Sequence, residues 1–285
     1  MKKSAFSLLE LSVSLVVVSL LMAMVSQGIK IVASSRLTTA RSLTSKSPVP
    51  NISGLIAWYE TSSVDSFKTN EAFDGKQISA WYDISPNSIP AKKNTLMRTT
   101  SAAITYEAEG INKLPSIYFN TVSGTPTLSL SSFYQGRSAQ TTVFVVSQPT
   151  TVSGLTGVLF DSSSQDSNMT LGGLFSTYAQ ICGGNCVNIS QTITANSPYI
   201  SAFYLNSTNS KIYLNNASTI IGGAVVNAGT NSMNGFCVGM DRGGNWGIRG
   251  LISEVIVFNR PLMDRERKDV MGYLSKKYGI LVTGL

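Results

Sequence analysis

The pattern of apolar and polar positions divides the chain into two parts that meet near residue 50. In the first part, residues 6–25 are almost all apolar, and the exceptions are Glu10 and a few serines. A helix rises about 1.5 Å per residue, so a run of this length spans the roughly 30 Å of hydrocarbon in a bilayer. A more polar helical extension follows. We expect Pro48 and Pro50 to end it, because proline cannot continue a helix interior.

The second part consists of short apolar runs separated by polar turns. The runs are rich in β-branched and aromatic residues, a pattern typical of strands. Strands are predicted at residues 55–59, 78–82, 116–119, 142–146, 157–160, 199–204, 211–214 and 251–258. Residues 264–278 instead place apolar side chains at helical spacing, with Gly279 directly after them. Many short strands and one late helix predict a mainly β protein, in which a β-sandwich follows the long N-terminal helix.

The distribution of charged residues predicts the orientation of the N-terminal helix in a membrane. Charged residues make up 13% of the chain, and the formal net charge is +7. Lys2 and Lys3 precede the apolar run, which predicts that the N-terminus stays in the cytoplasm and that the rest is exported. No nucleic-acid recognition motif accompanies the basic residues, so we expect no specific nucleic-acid partner. The chain has no histidine, which excludes histidine-dependent triads and histidine metal sites.

Glu10 is unusual in a run of this kind, because a carboxylate inside lipid costs several kcal/mol unless it is paired. A secretory signal peptide predicts small residues at a cleavage site after the apolar core, whereas Ser4 and Ala5 lie before it. A plain membrane anchor gives Glu10 no purpose. The acid therefore favours a helix that has a protein partner.

The stretch AFSLLE, from Ala5 to Glu10, resembles the processing motif of type IV prepilins and type II secretion pseudopilins. The resemblance implies that a prepilin peptidase cuts between Ala5 and Phe6 and methylates the new amine of Phe6. It also implies assembly with other pilin subunits, in which Glu10 pairs with the Phe6 amine of a neighbour. Subunits of this family are stored in the inner membrane and then join an extracellular filament or a periplasmic pseudopilus. The family usually has Gly where Ala5 stands.

A second resemblance covers roughly residues 52–282. The segments GLIAWYETSSVDSF and GKQISAWYDISPNS, and above all GLISEVIVFNRPLMDRERKDVMGYLSKKYGI, resemble the bacterial laminin-G/concanavalin-like jelly-roll family. The resemblance implies a jelly-roll β-sandwich with one C-terminal helix, which serves as a binding or structural module for carbohydrates or proteins, sometimes with calcium. Met263 stands where this family often has a Ser or Thr cap, so we expect Asp264 to cap the helix.

Together the two resemblances predict four parts. These are a prepilin leader at residues 1–5, a hydrophobic pilin-type helix at 6–47, a linker at 48–53 and the jelly-roll domain at 54–285.

The glycine-rich loop GGNWG is the candidate ligand site. Trp246, Asn245 and Asp241 lie in or beside it, and binding aromatics are often carried on such loops. The alternative is that the Trp246 ring packs into the core, as most Trp rings do.

The loop from Asp161 to Asn168 is the candidate calcium site. Asp161, Asp166 and Asn168 offer the oxygen atoms that calcium prefers, and Asp241 could supply another. Turn chemistry alone also places Asp and Asn in such loops. Calcium is the one cofactor that the sequence suggests.

The cysteines fit an oxidising compartment. Cys182 and Cys186 enclose a Gly-Gly-Asn turn, so a disulfide between them is predicted. Cys237 lies in the apolar strand Phe236–Val238 and is expected to be a buried free thiol, although sequence alone leaves its pairing open.

One pair of acidic residues is a candidate for the catalysis of glycoside hydrolysis. Glu107 and Glu109 alternate, which would place both on one strand face, but no supporting motif accompanies them. We therefore expect no enzyme.

The sequence as a whole predicts a type IV pilin-like filament subunit, of the minor or tip kind. Its jelly-roll domain is expected to serve adhesion by binding a glycan or a surface protein. One alternative is a type II secretion pseudopilin. The other is a membrane-anchored carbohydrate-binding module that does not polymerise.

Overall fold

The computed structural model describes residues 7–86, 93–99, 104–120, 128–153, 157–163 and 168–285. The chain forms two compact units, Met1–Thr39 and Ala40–Leu285. The predicted cleavage site between Ala5 and Phe6 lies outside the described residues.

The N-terminal part of the described chain is one long helix, α1 (Leu8–Ser45). Pro48 follows its end, and residues Val49–Asn51 form a single 3-10 turn. The first unit consists of the part of α1 before Ala40, and the last residues of the helix belong to the second unit.

The second unit contains the strands and a second helix. Its elements are β1 (Leu55–Glu60), β2 (Ala80–Trp81), β3 (Leu96–Arg98), β4 (Ile104–Glu107), β5 (Ser116–Asn120), β6 (Leu128–Leu130), β7 (Thr141–Thr151), β8 (Val158–Asp161), β9 (Thr170–Leu174), β10 (Tyr178–Gly183), β11 (Cys186–Ser190), β12 (Tyr199–Leu205), β13 (Lys211–Leu214), β14 (Phe236–Val238), β15 (Arg249–Phe258) and α2 (Asp264–Tyr278).

These strands build two antiparallel sheets. The first sheet has the order β13-β12-β7-β15-β5-β4, and β1 pairs with the C-terminal half of β15. The second sheet has the order β11-β10-β9-β8-β14-β6-β3-β2. The prediction of a mainly β protein with a long N-terminal helix, a β-sandwich and a C-terminal helix is confirmed.

Two apolar layers hold the second unit together. Between the sheets lies the main core, which includes Val143 and Val145 of β7. The intervening residues, Phe144 and Val146, face outward into a second layer together with apolar residues of α2. Strand β7 is therefore buried on both faces, which explains its four consecutive apolar residues at 143–146. Helix α2 covers the outer face of the first sheet.

Helix α2 begins differently from the expectation. Met263 is the N-cap residue, and its backbone N–H donates to Glu266 Oε2 at 2.9 Å. Asp264 lies inside the helix and pairs with Arg267 at 2.6 Å, so the expectation that Asp264 caps the helix is wrong. The third helical residue, Glu266, satisfies the exposed N–H from within the helix. Gly279 ends the helix with a φ of 62°.

Candidate functional site

The apolar side chains of α1 are exposed in the single chain. Leu8 is 88% exposed and Met22 is 69% exposed, and the other large apolar side chains up to Val32 are similar. Among the described residues, α1 is the helix long and apolar enough to cross a membrane, by length and composition alone. A membrane anchor and a signal sequence both fit this observation. An apolar surface of this extent needs lipid or protein to cover it.

Glu10 takes part in a hydrogen-bonded cap at the start of α1. The Ser7 backbone N–H donates to Glu10 Oε2 at 2.9 Å, and the Glu10 backbone N–H donates to Ser7 Oγ at 3.2 Å. This reciprocal pair is a capping box, which satisfies two N–H groups that the helix itself cannot. Glu10 therefore has a use in a plain anchor, contrary to the sequence argument. Its pairing with a neighbouring subunit stays a prediction.

The outer face of the second sheet carries both buried apolar side chains and exposed polar ones. Its outward side chains include a small apolar cluster of Val158, Leu171, Phe175 and Cys182. Farther along the same face, Gln180 Nε2 donates to Asn188 Oδ1 at 2.7 Å. Amide groups beside aromatic and apolar side chains are typical of ligand surfaces that bind polar molecules.

The candidate ligand loop follows β14 and is organised by Asp241. The carboxylate of Asp241 accepts backbone N–H groups from Gly243 at 3.1 Å, Asn245 at 2.7 Å and Trp246 at 2.6 Å. Asp241 is only 8% exposed, whereas Trp246 is 42% exposed. Asp241 is thus a structural residue of the loop, and Trp246 and Asn245 are the parts that solvent reaches.

The loop of Trp246 contacts the segment that packs against the aromatic pair of Phe175 and Tyr178. The carbonyl of the next residue, Gly247, accepts the N–H of Gly157 at 2.9 Å. Gly157 lies against Phe175, because a Cβ at this glycine would come within 3.0 Å of the ring. The Phe175 ring stacks on the half-buried Tyr178, with centroids 4.7 Å apart. The loop of Trp246 and the Phe175–Tyr178 pair are therefore connected through Gly157.

Asp161 ties this loop to the sheet. Its carboxylate accepts the backbone N–H groups of Thr170 at 3.0 Å and Arg242 at 3.2 Å. Burial raises the pKa of Asp161, and these N–H groups oppose the rise. Asn168 contributes its backbone carbonyl to a neighbouring serine, and Asp166 lies outside the described residues. Within the described ranges, no group of three His, Cys, Asp or Glu residues could hold a metal ion. Calcium binding stays an untested prediction.

The cysteines lie at two places in the second sheet. A disulfide joins Cys182 and Cys186 across the tip of the β10–β11 hairpin, with Cα atoms 4.2 Å apart. Cys237 is free and buried, and its single S–H lies within reach of two carbonyls, that of Ser162 at 3.1 Å and that of Met240 at 3.3 Å from the sulfur. Burial raises the pKa of the Cys237 thiol well above its usual value of 9.0. Such a thiol is unreactive.

Glu107 and Glu109 do not share a strand face. Strand β4 ends at Glu107, and Glu109 lies in the following turn. The Thr105 hydroxyl donates to Glu107 at 2.9 Å, and Glu109 pairs with Lys113 at 3.1 Å. The expected alternation is wrong here because the strand ends two residues before Glu109. Each carboxylate instead has a partner of its own.

A buried ion triad beneath α2 was not anticipated. Lys277 Nζ lies 2.9 Å from Glu60 Oε2 and 2.8 Å from Glu254 Oε2, and all three side chains are inaccessible to solvent. Burial raises the pKa of Glu254, although Lys277 acts in the opposite direction. Burial alone would lower the pKa of Lys277, but the two carboxylates together raise it above 10.5.

Three further donors surround Glu254. The Trp58 indole N–H and the Tyr273 hydroxyl donate to its Oε1, each at 2.8 Å, and the Tyr278 hydroxyl donates to its Oε2 at 2.9 Å. A weak signal was present in the sequence, because Glu254 interrupts the apolar strand ISEVIVF and Lys277 follows Tyr273 by one helical turn. No substrate reaches these groups, so their role is structural.

The comparisons with known proteins concern the fold. No family model matches the sequence, and no curated protein matches it. Solved structures do resemble the fold. A Trypanosoma rangeli sialidase in complex with sialic acid has a TM-score of 0.51 and 12% identity, over 82% of this chain and 34% of the sialidase. The binding domain of Paraclostridial mosquitocidal protein 1 has a TM-score of 0.51 and 14% identity, over 80% of this chain and 53% of that one.

A third similar structure is smaller. Domain 4 of AbnA, an extracellular GH43 arabinanase from Geobacillus stearothermophilus, in complex with arabinotriose, has a TM-score of 0.48 and 17% identity. The match covers 76% of this chain and 97% of that domain. By contrast, the chain spans about a third of the sialidase and about half of the toxin's binding-domain structure. At these identities the likeness describes the fold alone.

Proposed function

We propose that this protein is a membrane-anchored binding module whose jelly-roll domain binds a carbohydrate outside the cytoplasm. Helix α1 supplies the anchor, and the Trp246 loop beside the second sheet supplies the binding surface. The observation that carries the proposal is the 42% exposure of Trp246 on a loop fixed by the buried Asp241.

The chemistry of this loop supports a sugar ligand. A sugar offers C–H groups that stack on an indole ring and hydroxyl groups that bond to amides, and Trp246 and Asn245 offer both partners side by side. A rigid loop also lowers the entropic cost of binding, because its side chains need not be ordered by the ligand. The two fold neighbours, a sialidase and the binding domain of a toxin, are compatible with this proposal but add only the fold.

The test uses the full chain in detergent micelles on an array of glycans. The chain has three tryptophans, of which Trp58 and Trp81 are buried, at 3% and 0% exposure. Quenching of tryptophan fluorescence by iodide therefore reports mainly on Trp246. A glycan that binds at the proposed site is expected to protect this fluorescence from iodide.

A pair of variants distinguishes binding at the proposed site from nonspecific binding. We expect Trp246→Ala to weaken binding at least tenfold, because stacked indole rings dominate such sites. Phe73→Ala is the matched control, because Phe73 is an exposed aromatic residue, at 59%, away from the loop. Glycan binding that survives Trp246→Ala unchanged would reject the site.

A second candidate function is a type IV pilin-like subunit, which the AFSLLE stretch favours. It adds to the first proposal a prepilin peptidase, methylation of Phe6 and assembly with other subunits through α1. The exposed apolar surface of α1 is also what packing in a filament core requires. A type II secretion pseudopilin has the same features, and a location among secretion genes would distinguish it.

Mass spectrometry of the N-terminus decides between the two candidates. A chain that begins at methylated Phe6 in material sheared from the cell surface would support a filament subunit. A chain that begins at Met1 and stays in the membrane fraction would leave the anchored binding module.

A further inference from the structure

The last turns of α1 are packed against the sandwich within the second unit. Ala40 is 2% exposed and belongs to the apolar layer under α2, together with Trp58. Leu43 is half-buried against the same layer. Apolar packing of one small and one partly exposed side chain is modest, so the polar contacts of this segment matter for its position.

The first polar contact runs from Arg41 to the buried triad through β1. Arg41 Nε donates to the Ser62 carbonyl at 2.7 Å. The backbone N–H and the hydroxyl of Ser62 both donate to Glu60 Oε2, each at 2.7 Å. The same Oε2 atom accepts the hydrogen bond from Lys277 Nζ.

The second polar contact runs from Thr44 to the triad through α2. The Thr44 hydroxyl lies 3.3 Å from the Tyr273 hydroxyl and 3.1 Å from the Ala40 carbonyl, so it shares its proton between these two acceptors. The Tyr273 hydroxyl donates to Glu254 Oε1 at 2.8 Å, and Lys277 Nζ donates to Glu254 Oε2 at 2.8 Å. Both contacts therefore begin on adjacent turns of α1 and meet at the ammonium group of Lys277.

We propose that the Glu60–Lys277–Glu254 triad is a clamp that fixes residues 40–45 of α1 to the sandwich. A buried ion triad adds little net stability compared with apolar side chains of equal volume, so its benefit is to hold hydrogen-bonded partners in one geometry. Here the partners are the Ser62 backbone and the Tyr273 hydroxyl, which are the groups that contact α1. The clamp goes beyond the proposed function, because an anchor and a filament subunit would both use it to carry force from α1 to the domain.

Hydrogen exchange of the full chain in micelles tests the clamp. Thr44→Val and Tyr273→Phe each remove the second contact, and Arg41→Met removes the first. Each variant is expected to speed exchange of the amides of residues 40–46 by roughly fivefold to tenfold, the effect of losing one hydrogen bond. The amides of β7 are expected to keep their rates, because the sandwich itself stays folded.

Two matched variants distinguish a clamp from general destabilisation. Tyr278→Phe removes a hydroxyl that donates to the same Glu254 but contacts no residue of α1 that the structure describes. Arg36→Met removes an exposed guanidinium earlier on α1. Both are expected to leave exchange at residues 40–46 unchanged. The clamp is overturned if Thr44→Val and Arg41→Met have no effect on these amides, or if Tyr278→Phe speeds their exchange as much as Tyr273→Phe.

Discussion

Asp241 and Trp246 have different roles in one loop, because the Asp241 side chain is buried and the Trp246 side chain is exposed. The carboxylate of Asp241 takes up three backbone N–H groups that would otherwise lack partners. The indole of Trp246 is thereby left free to face solvent. The sequence predicts that both residues contact the ligand, whereas in the structure Asp241 supports the loop that carries Trp246.

Removing the Asp241 carboxylate is expected to cost more stability than removing an ordinary surface acid. Hydrogen bonds to a charged group each contribute about 1.5–3 kcal/mol, and Asp241→Ala leaves three N–H groups to find water. We expect a loss of about 2–4 kcal/mol in the free energy of unfolding, measured by urea denaturation of the full chain in micelles. The exposed Asp65→Ala serves as the control and should change it by less than about 0.5 kcal/mol. Equal effects of the two variants would contradict the supporting role.

Glu10 has two different explanations that one substitution can separate. As the third residue of a capping box it needs only an acceptor oxygen, which glutamine also has. As the partner of a neighbouring Phe6 amine it needs its charge. We expect Glu10→Gln to insert into the membrane as the wild type does. Loss of Glu10→Gln from sheared filaments, with normal levels in the membrane, would support charge pairing between subunits, and normal incorporation of Glu10→Gln would contradict it. Glu10→Ala removes both the cap and the charge, so it does not separate the two.

At the level of elements, the apolar pattern predicts the strands that contain long apolar runs, but it misses other strands. The long runs gave the sites of β1, β7, β12 and β15, because each is rich in β-branched and aromatic residues. Strand β9, with the sequence TLGGL, was missed because glycine disfavours strands. Gly172 is needed there, since a Cβ would lie 2.4 Å from the Phe160 ring. Such close approach depends on residues far apart in sequence, so no local pattern reveals it.

The candidate site and the triad also differ in whether local sequence predicts them. The exposed Trp246 could be predicted, because a glycine-rich loop between strands is a local feature. The Glu60–Lys277–Glu254 triad could not, because its members come from β1, β15 and α2 and meet only through the pairing of β1 with β15. A lysine in a predicted amphipathic helix is more often on the solvent face.

The triad predicts unequal effects of two adjacent lysines on α2. Lys277→Met leaves two buried carboxylates without their cation, which is expected to cost about 3–5 kcal/mol. Lys276→Met is the matched control, because Lys276 is exposed. Urea denaturation measures both. Combining Lys277→Met with Glu60→Gln and Glu254→Gln should recover most of the loss, because no unpaired charge then remains. A loss from Lys277→Met no larger than that from Lys276→Met would contradict the account.

For the whole molecule, buried tyrosines predict sensitivity to alkali. Burial raises the pKa of Tyr59, Tyr273 and Tyr278 well above 10.0 and that of Tyr106 to about 12. The folded chain therefore keeps these protons at a pH at which the unfolded chain loses them. Their contribution to stability is complete below pH 10.0 and is lost as the pH rises through the raised values.

Thermal melting between pH 8 and pH 11.5 checks this expectation. The melting temperature should be nearly level up to about pH 10 and should fall steeply above it, because unfolding then releases several protons. Tyr59→Phe should make the fall shallower by removing one of them. Tyr134→Phe is the control, since Tyr134 is 57% exposed. A melting temperature that stays level to pH 11.5 would contradict the effect.

The position of β15 in the first sheet determines when that sheet can form. It pairs with β1, β5 and β7, yet it is the last strand of the sandwich in chain order. Until the chain beyond Phe258 has been made, the first sheet lacks its central member, and contacts of such long sequence separation form slowly. In the proposed export of this domain, the first sheet can therefore close only after β15 has crossed the membrane.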